Sequence, residues 1–213
     1  MTAKKKAASS ASESVTISAP KFELAEFEIV GTAPYVQLCF PQKVKELMME
    51  KMRLGSQAGK SRKKEARDFE EDFRQAMYET PTGKHGIPAG AFRNAMISAC
   101  RLVGFKMTLA KLSVFLEADD FDRYEGKPMV YLNGTPEPVI SHVRNATGVA
   151  DLRVRAKFWP WSANLRVRYD AGLFSASDVA NLLSRVGMQV GIGEGRPDSK
   201  TSAGVGWGTF RLK

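Results

Sequence analysis

Hydrophobic and polar positions alternate along this chain with two different periods. From residue 22, Phe22, Leu24, Phe27 and Ile29 stand out among polar neighbours, which predicts a first strand ending near Gly31. Lys43 to Arg53 and Arg67 to Tyr78 read as helices joined by the polar run GSQAGKSRKK, so a mobile, solvated helical insertion is expected over about 42–79. Pro88 fits the first turn of a helix whose apolar face is Phe92, Ala95, Met96, Ala99 and Val103, with Gly104 as its stop. The small residues Ala91, Ala95 and Ala99 would let that helix lie close to a sheet. KLSVFLEA and PMVYLNG read as strands. A Ser-x-x-Asp capping box at Ser175 and Asp178 opens a second helix with the stripe Val179, Leu182, Leu183 and Val186, ending at Gly187. A short strand, a glycine-rich stretch and a last strand, VGWGTFRL, follow. The order strand, helix, strands, helix, strand predicts an α+β fold. Its expected form is a ferredoxin-like (RRM-like) antiparallel sheet with two core helices, a helical insertion and a C-terminal glycine-rich loop.

The strongest alternation lies in DLRVRAKFWPWSANLRVRYD. Leu152, Val154, Ala156 and Phe158 interleave with Arg153, Arg155 and Lys157, and Leu165, Val167 and Tyr169 interleave with Arg166 and Arg168. Period-two alternation sends the two sets to opposite faces. Paired as a hairpin around Trp159, Pro160 and Trp161, the two runs would line up five cations with no acid among them. Like charges side by side in a sheet repel, so such a face wants a polyanion. These five cations are the expected phosphate contacts, with Trp159 or Trp161 stacking on a base. Lys60, Arg62, Lys63 and Lys64 would clamp from the insertion.

Charge supports that direction. The 213 residues carry a formal net charge of +9, which favours nucleic acid or an anionic membrane surface. No helix pairs a basic face with bulky aromatics, and no run of 18 apolar residues occurs, so no membrane partner is expected. The opening MTAKKKAASSASESVTIS lacks the apolar core of a signal peptide; residues 1–20 read as a disordered basic tail and a cytoplasmic location is expected. Cys39 and Cys100 read as reduced core thiols. GSQAGKS has three residues between Gly55 and Gly59 where a phosphate-binding P-loop needs four, and GIGEG lacks the third glycine of a dinucleotide fingerprint. No cofactor or metal is expected, and Asp119, Asp120 and Asp122 read as a solvated turn. Catalysis has one weak candidate, His85, as a general base in a glycine-bounded turn.

Two segments resemble one family. GIPAGAFRNAM is similar to the Ile-Pro-Gly-x-x-Leu-(Lys/Arg)-x-x-(Leu/Met) start of the first helix in the RAMP superfamily, the repeat-associated RNA-binding proteins of CRISPR systems. GIGEGRPDSKTSAGVGWGTF, residues 191–210, is similar to that superfamily's C-terminal glycine-rich loop. The resemblance covers about residues 22–40 and 83–213 and is closest to backbone subunits of the effector complexes. It implies one domain over 21–213 that binds single-stranded RNA along its surface, as a homo-oligomer or as a subunit of a ribonucleoprotein complex. It also implies that the glycine-rich loop lies against the first core helix near the RNA path, which brings in Arg196 and Lys200. The same glycines also suit a hairpin that packs Trp207 tightly, and both readings stand. The chain is short for a backbone subunit, and Gly31 to Lys45 contains no acid where target-cleaving members carry a catalytic Asp. A non-catalytic binder of single-stranded nucleic acid, RNA preferred, is therefore expected, CRISPR-encoded or phage-borne. The alternatives are an endoribonuclease using His85 and an interaction protein that mimics a CRISPR subunit.

Overall fold

The computed structural model of the chain describes residues 18–55, 66–144, 148–199 and 203–213. Most of the expected tail and the centre of the insertion lie outside the described residues, and with them Lys60, Arg62, Lys63, Lys64 and Lys200. The described residues form a mixed α and β fold of antiparallel sheets.

The principal sheet holds β1 (Phe22–Gly31), β4 (Val114–Glu117), β9 (Ser162–Asp170) and β10 (Phe210–Leu212) in the order β10-β1-β9-β4, every pairing antiparallel. β1 and β9 run together from Phe22 opposite Asp170 to Val30 opposite Ser162. One face of this sheet, with Ile29, Val114, Leu165, Val167 and Phe210, is buried. It is covered by α3 (Ala89–Ala99) through Phe92 and Met96, and by α5 (Ala176–Arg185) through Val179, Leu182 and Leu183. The two helices occupy one face because each presents a single apolar stripe, and the sheet offers alternate residues to it. Ser175 and Asp178 form the expected capping box of α5.

A second sheet joins β2 (Tyr35–Gln37), β8 (Ala150–Phe158) and β7 (Pro136–Arg144) in the order β2-β8-β7. A third, small sheet joins β3 (Gly86–Pro88), β6 (Pro128–Tyr131) and β5 (Asp120–Phe121). The insertion contributes α1 (Gln42–Leu54) and α2 (Phe69–Gln75), the latter capped by Asp68, which accepts from the N–H groups of Glu70 and Glu71. α2 packs on β8, while α1 buries no residue and is tied to the body by Lys45 Nζ on Glu125 Oε1 at 2.6 Å.

Several expectations change, among them the last strand, which spans only Phe210–Leu212 of VGWGTFRL. β8 and β9 do not form a hairpin: they are consecutive in the chain but sit in different sheets, joined by the Trp159-Pro160-Trp161 corner. The face of α3 stops at Ala99, a 3-10 turn carries the chain over Cys100–Val103, and Val103 is 50% exposed; Gly104 does end the segment, in the left-handed conformation. KLSVFLEA is split, its first residues closing α4 (Met107–Ser113) before β4 begins. Gly187 does not end α5. It lies in a π-type turn over Val186–Val190, where an added Cβ would sit 2.1 Å from the Phe210 carbonyl oxygen, so the glycine lets β10 cross closely. That turn replaces the short strand expected there, and Gly191 terminates it.

Candidate nucleic-acid interface

Because β8 and β9 part company, the five cations do not line one face. Arg166 and Arg168 project from the face of the principal sheet that the helices leave uncovered, and neighbouring strands place acids beside them. Arg168 Nε donates to Glu117 Oε1 at 2.7 Å, and its guanidinium lies over the rings of Phe22 and Phe115 at 5.1 and 5.0 Å. Arg166 Nη2 reaches Asp119 Oδ1 at 3.2 Å and the Ala118 carbonyl at 2.6 Å, with Glu26 and Glu117 opposite it in register. On β8, Lys157 pairs with Glu137 of β7 at 2.8 Å, and Arg155 is buried. Arg153 is exposed and makes no ion pair among the described residues. Between its end residues Asp151 and Asp170 the segment carries no acid, but the strands that flank it do.

The two tryptophans also divide. Trp161 is 2% exposed; its indole N–H donates to the Ala33 carbonyl at 2.8 Å, and its ring packs on Tyr35 and Phe210. It offers no free face to a base. Trp159 is 44% exposed.

A groove of about 880 Å³ runs between α3, β2 and the glycine-rich loop, lined among others by Ala91, Asn94, Ser98, Arg101, Lys111 and Arg196. The loop reaches α3 through Asp198, which accepts from the Ser98 hydroxyl and from Arg101 Nη2, the latter at 2.8 and 2.9 Å. These donors, the Ser98 hydroxyl first and then the Arg101 guanidinium, hold the Asp198 carboxyl below its ordinary range. Glu194 N–H donates to the Val36 carbonyl at 2.8 Å, and Gly208 N–H to the Pro34 carbonyl at 2.7 Å, so the loop is laced to β2 and its approach. Gly193 has φ +76°, and a Cβ there would stand 2.5 Å from the Val36 oxygen. Glycine is what lets the backbone lie this close. Arg196 Nη1 bonds the Gly193 carbonyl at 3.0 Å, while the N–H groups of Gly193 and Arg196 have no acceptor among the described residues. Backbone N–H groups beside cations form an anion-binding concavity.

The helical wall of this groove has a signal in the sequence that alternation alone does not register. From Thr80 to Leu116 there is no acid, but Lys84, Arg93, Arg101, Lys106 and Lys111 are all present, of which Arg101 and Lys111 line the groove. Lys106 and Lys111 are exposed and make no ion pair among the described residues.

His85 stands apart from the groove. Its ring meets Phe158 edge-on at 5.5 Å, and its Nδ1, buried and without a hydrogen bond, lies 3.8 Å from Glu79 Oε1. Asp122 is buried and accepts from the N–H groups of Tyr124, Glu125 and Lys127, which makes it the organiser of a turn. Among the described residues no group of three or more His, Cys, Asp or Glu is placed to hold a metal ion. Cys39 and Cys100 are free thiols, and burial pushes both thiol pKa values up. No helix among the described residues is long and apolar enough to cross a membrane. No protein-family model matches the chain, and no curated protein matches it.

Proposed function

We propose that this chain binds single-stranded nucleic acid, RNA preferred, without cleaving it, and that the strand runs in the groove between α3 and the glycine-rich loop. The observation that carries the reading is the loop itself. It lies against α3 and lines the groove with Arg196 and Gly193, whose backbone N–H groups have no acceptor among the described residues, while the other wall carries Lys111. Phosphates are read by such groups without regard to sequence. The strand order β10-β1-β9-β4, with α3 and α5 as the two connections, supports a ferredoxin-like core of the RAMP type. The absence of any acid from Gly31 to Lys45 favours binding over cleavage. Assembly along the strand, as a homo-oligomer or within a ribonucleoprotein, belongs to the same reading, as does a cytoplasmic location.

The test is a salt titration of oligonucleotide affinity. Each phosphate contact on a single strand contributes about 0.7 to the log–log slope, so replacing both Lys111 and Arg196 with Gln should lower the slope by about 1.4. Replacing Arg166 and Arg168 with Gln should leave it unchanged, because those cations already face carboxylates. The reverse pattern would move the strand to the open sheet face. RNA should remain intact with Mg²⁺ or EDTA; products that vanish in His85→Ala would replace binding with endonuclease chemistry. A protein that purifies free of nucleic acid and binds no oligonucleotide would be a protein-binding mimic instead.

A further inference from the structure

We infer that Arg155 is a phosphate subsite beneath the glycine-rich loop, held closed in the free protein by the carboxylate of Glu194. The inference takes its biological ligand from the strand-binding reading and its chemistry from geometry alone. Arg155 is only 9% exposed, yet its guanidinium is poorly satisfied. Nη1 donates to the Ser141 hydroxyl, and Nε–H, fully buried, has no hydrogen-bond acceptor. The nearest anion is Glu194 Oε2 at 3.5 Å from Nε, close enough to attract but not aligned to bond.

A buried guanidinium that makes part of its bonds is costly, and a better-shaped anion gains what the present partner leaves unmade. An Arg fork takes carboxylate or phosphate in the same two-pronged manner. Glu194 can leave: its side chain is 46% exposed, while its backbone stays pinned to Val36. Gly193 and Gly195 flank it, both at positive φ. Glu194 lines the groove while Arg155 is not part of its wall, so a phosphate reaches Arg155 only when the Glu194 side chain swings aside. The carboxylate thus acts as an internal competitor of the ligand.

Two probes test this on the full chain. The first is inorganic phosphate, read on the Arg155 Nε–H resonance, which is identified by its loss in Arg155→Met. Should that variant not fold, Arg155→Lys replaces it, since an ammonium keeps the charge and lacks the Nε–H. The second is a fluorescein-labelled oligouridine, with Glu137→Gln as a charge-matched control at the neighbouring Lys157 pair. Phosphate should move the resonance, at about tenfold lower concentration in Glu194→Gln, the scale of one hydrogen bond to a charged group. Oligouridine affinity should rise about tenfold in Glu194→Gln and far less in Glu137→Gln, and the gain should vanish once Arg155 is replaced. An unmoved resonance, equal gains in the two Gln variants, or a gain that survives loss of Arg155 would overturn the subsite. If phosphate moves the resonance but no variant binds oligouridine, the subsite stands and the strand-binding reading fails. If oligouridine binds while phosphate leaves the resonance still, the subsite fails alone.

Discussion

Replacing Trp161 with Ala should unfold the protein more readily without acting through ligand binding. The indole is almost wholly buried, contacts Tyr35 and Phe210, and sits so close to Gly31 that a Cβ there would lie 2.1 Å from its Nε1. Truncating a buried aromatic of this size costs about 3–5 kcal/mol. The Ala33 carbonyl also loses its donor; it is half-buried, so water replaces part of the bond and about 1 kcal/mol is added. A total of about 4–6 kcal/mol is a large share of the 5–15 kcal/mol that holds a typical domain together. Taking about 2.5 kcal/mol per molar as the urea dependence for a chain of this length, the midpoint should fall by about 2 M. Trp161→Phe, which fills much of the space but lacks the N–H, should fall between wild type and Ala. Trp159→Ala, at an exposed site, should shift the midpoint little, and it should weaken oligonucleotide binding by about 1–3 kcal/mol only if a base stacks there. A midpoint change below about 0.5 M in Trp161→Ala would refute the account of this residue as a core element.

Acid should loosen the glycine-rich loop before it unfolds the sheet. The Asp198 carboxyl is held below its ordinary range by Ser98 and then Arg101, so its contribution is complete above the unfolded carboxylate pKa of about 3.9 and is lost as pH falls through the lowered folded value. Hydrogen exchange of the Val190–Ser199 amides should accelerate in that acid range, and Asp198→Asn should already be loose at neutral pH. Glu125, whose carboxyl is brought down to about 2 by Lys127 and then Lys45, ties α1 to the body. Glu125→Gln should speed exchange in Gln42–Leu54 while leaving the urea midpoint in place; equal protection in both proteins would show that α1 is held by something else.

Alternation made the extent of β1 legible almost to the residue and the faces of β9 legible, but not the faces of β1 and β8, where Leu24 and Leu152 are exposed and Arg155 is buried. It could not say which strands are neighbours. β9 pairs with β1 over Phe22–Val30, more than 130 residues away in the chain, and no local pattern carries that information. The hairpin expected at the Trp-Pro-Trp corner follows from adjacency in sequence, and the local pattern holds nothing of the acids that β1, β4 and β7 bring beside its cations. The same corner leaves Trp159 44% exposed and Trp161, two positions on, 2% exposed, because the chain changes sheets between them. The glycine-rich loop was legible from composition. Its distance from Arg155 was not, since Glu194 and Arg155 meet only after β2 and β8 have paired.

The corner at Trp159-Pro160-Trp161 couples the central strand of one sheet to an inner strand of another. A length change in that corner would displace two sheets at once, whereas one in the β7–β8 connection would alter only the end of a single ladder. The architecture is therefore not modular along this stretch. Residues 150–170 work as a shared spine, and neither sheet can be excised, grafted or exchanged between related chains without taking part of the other with it.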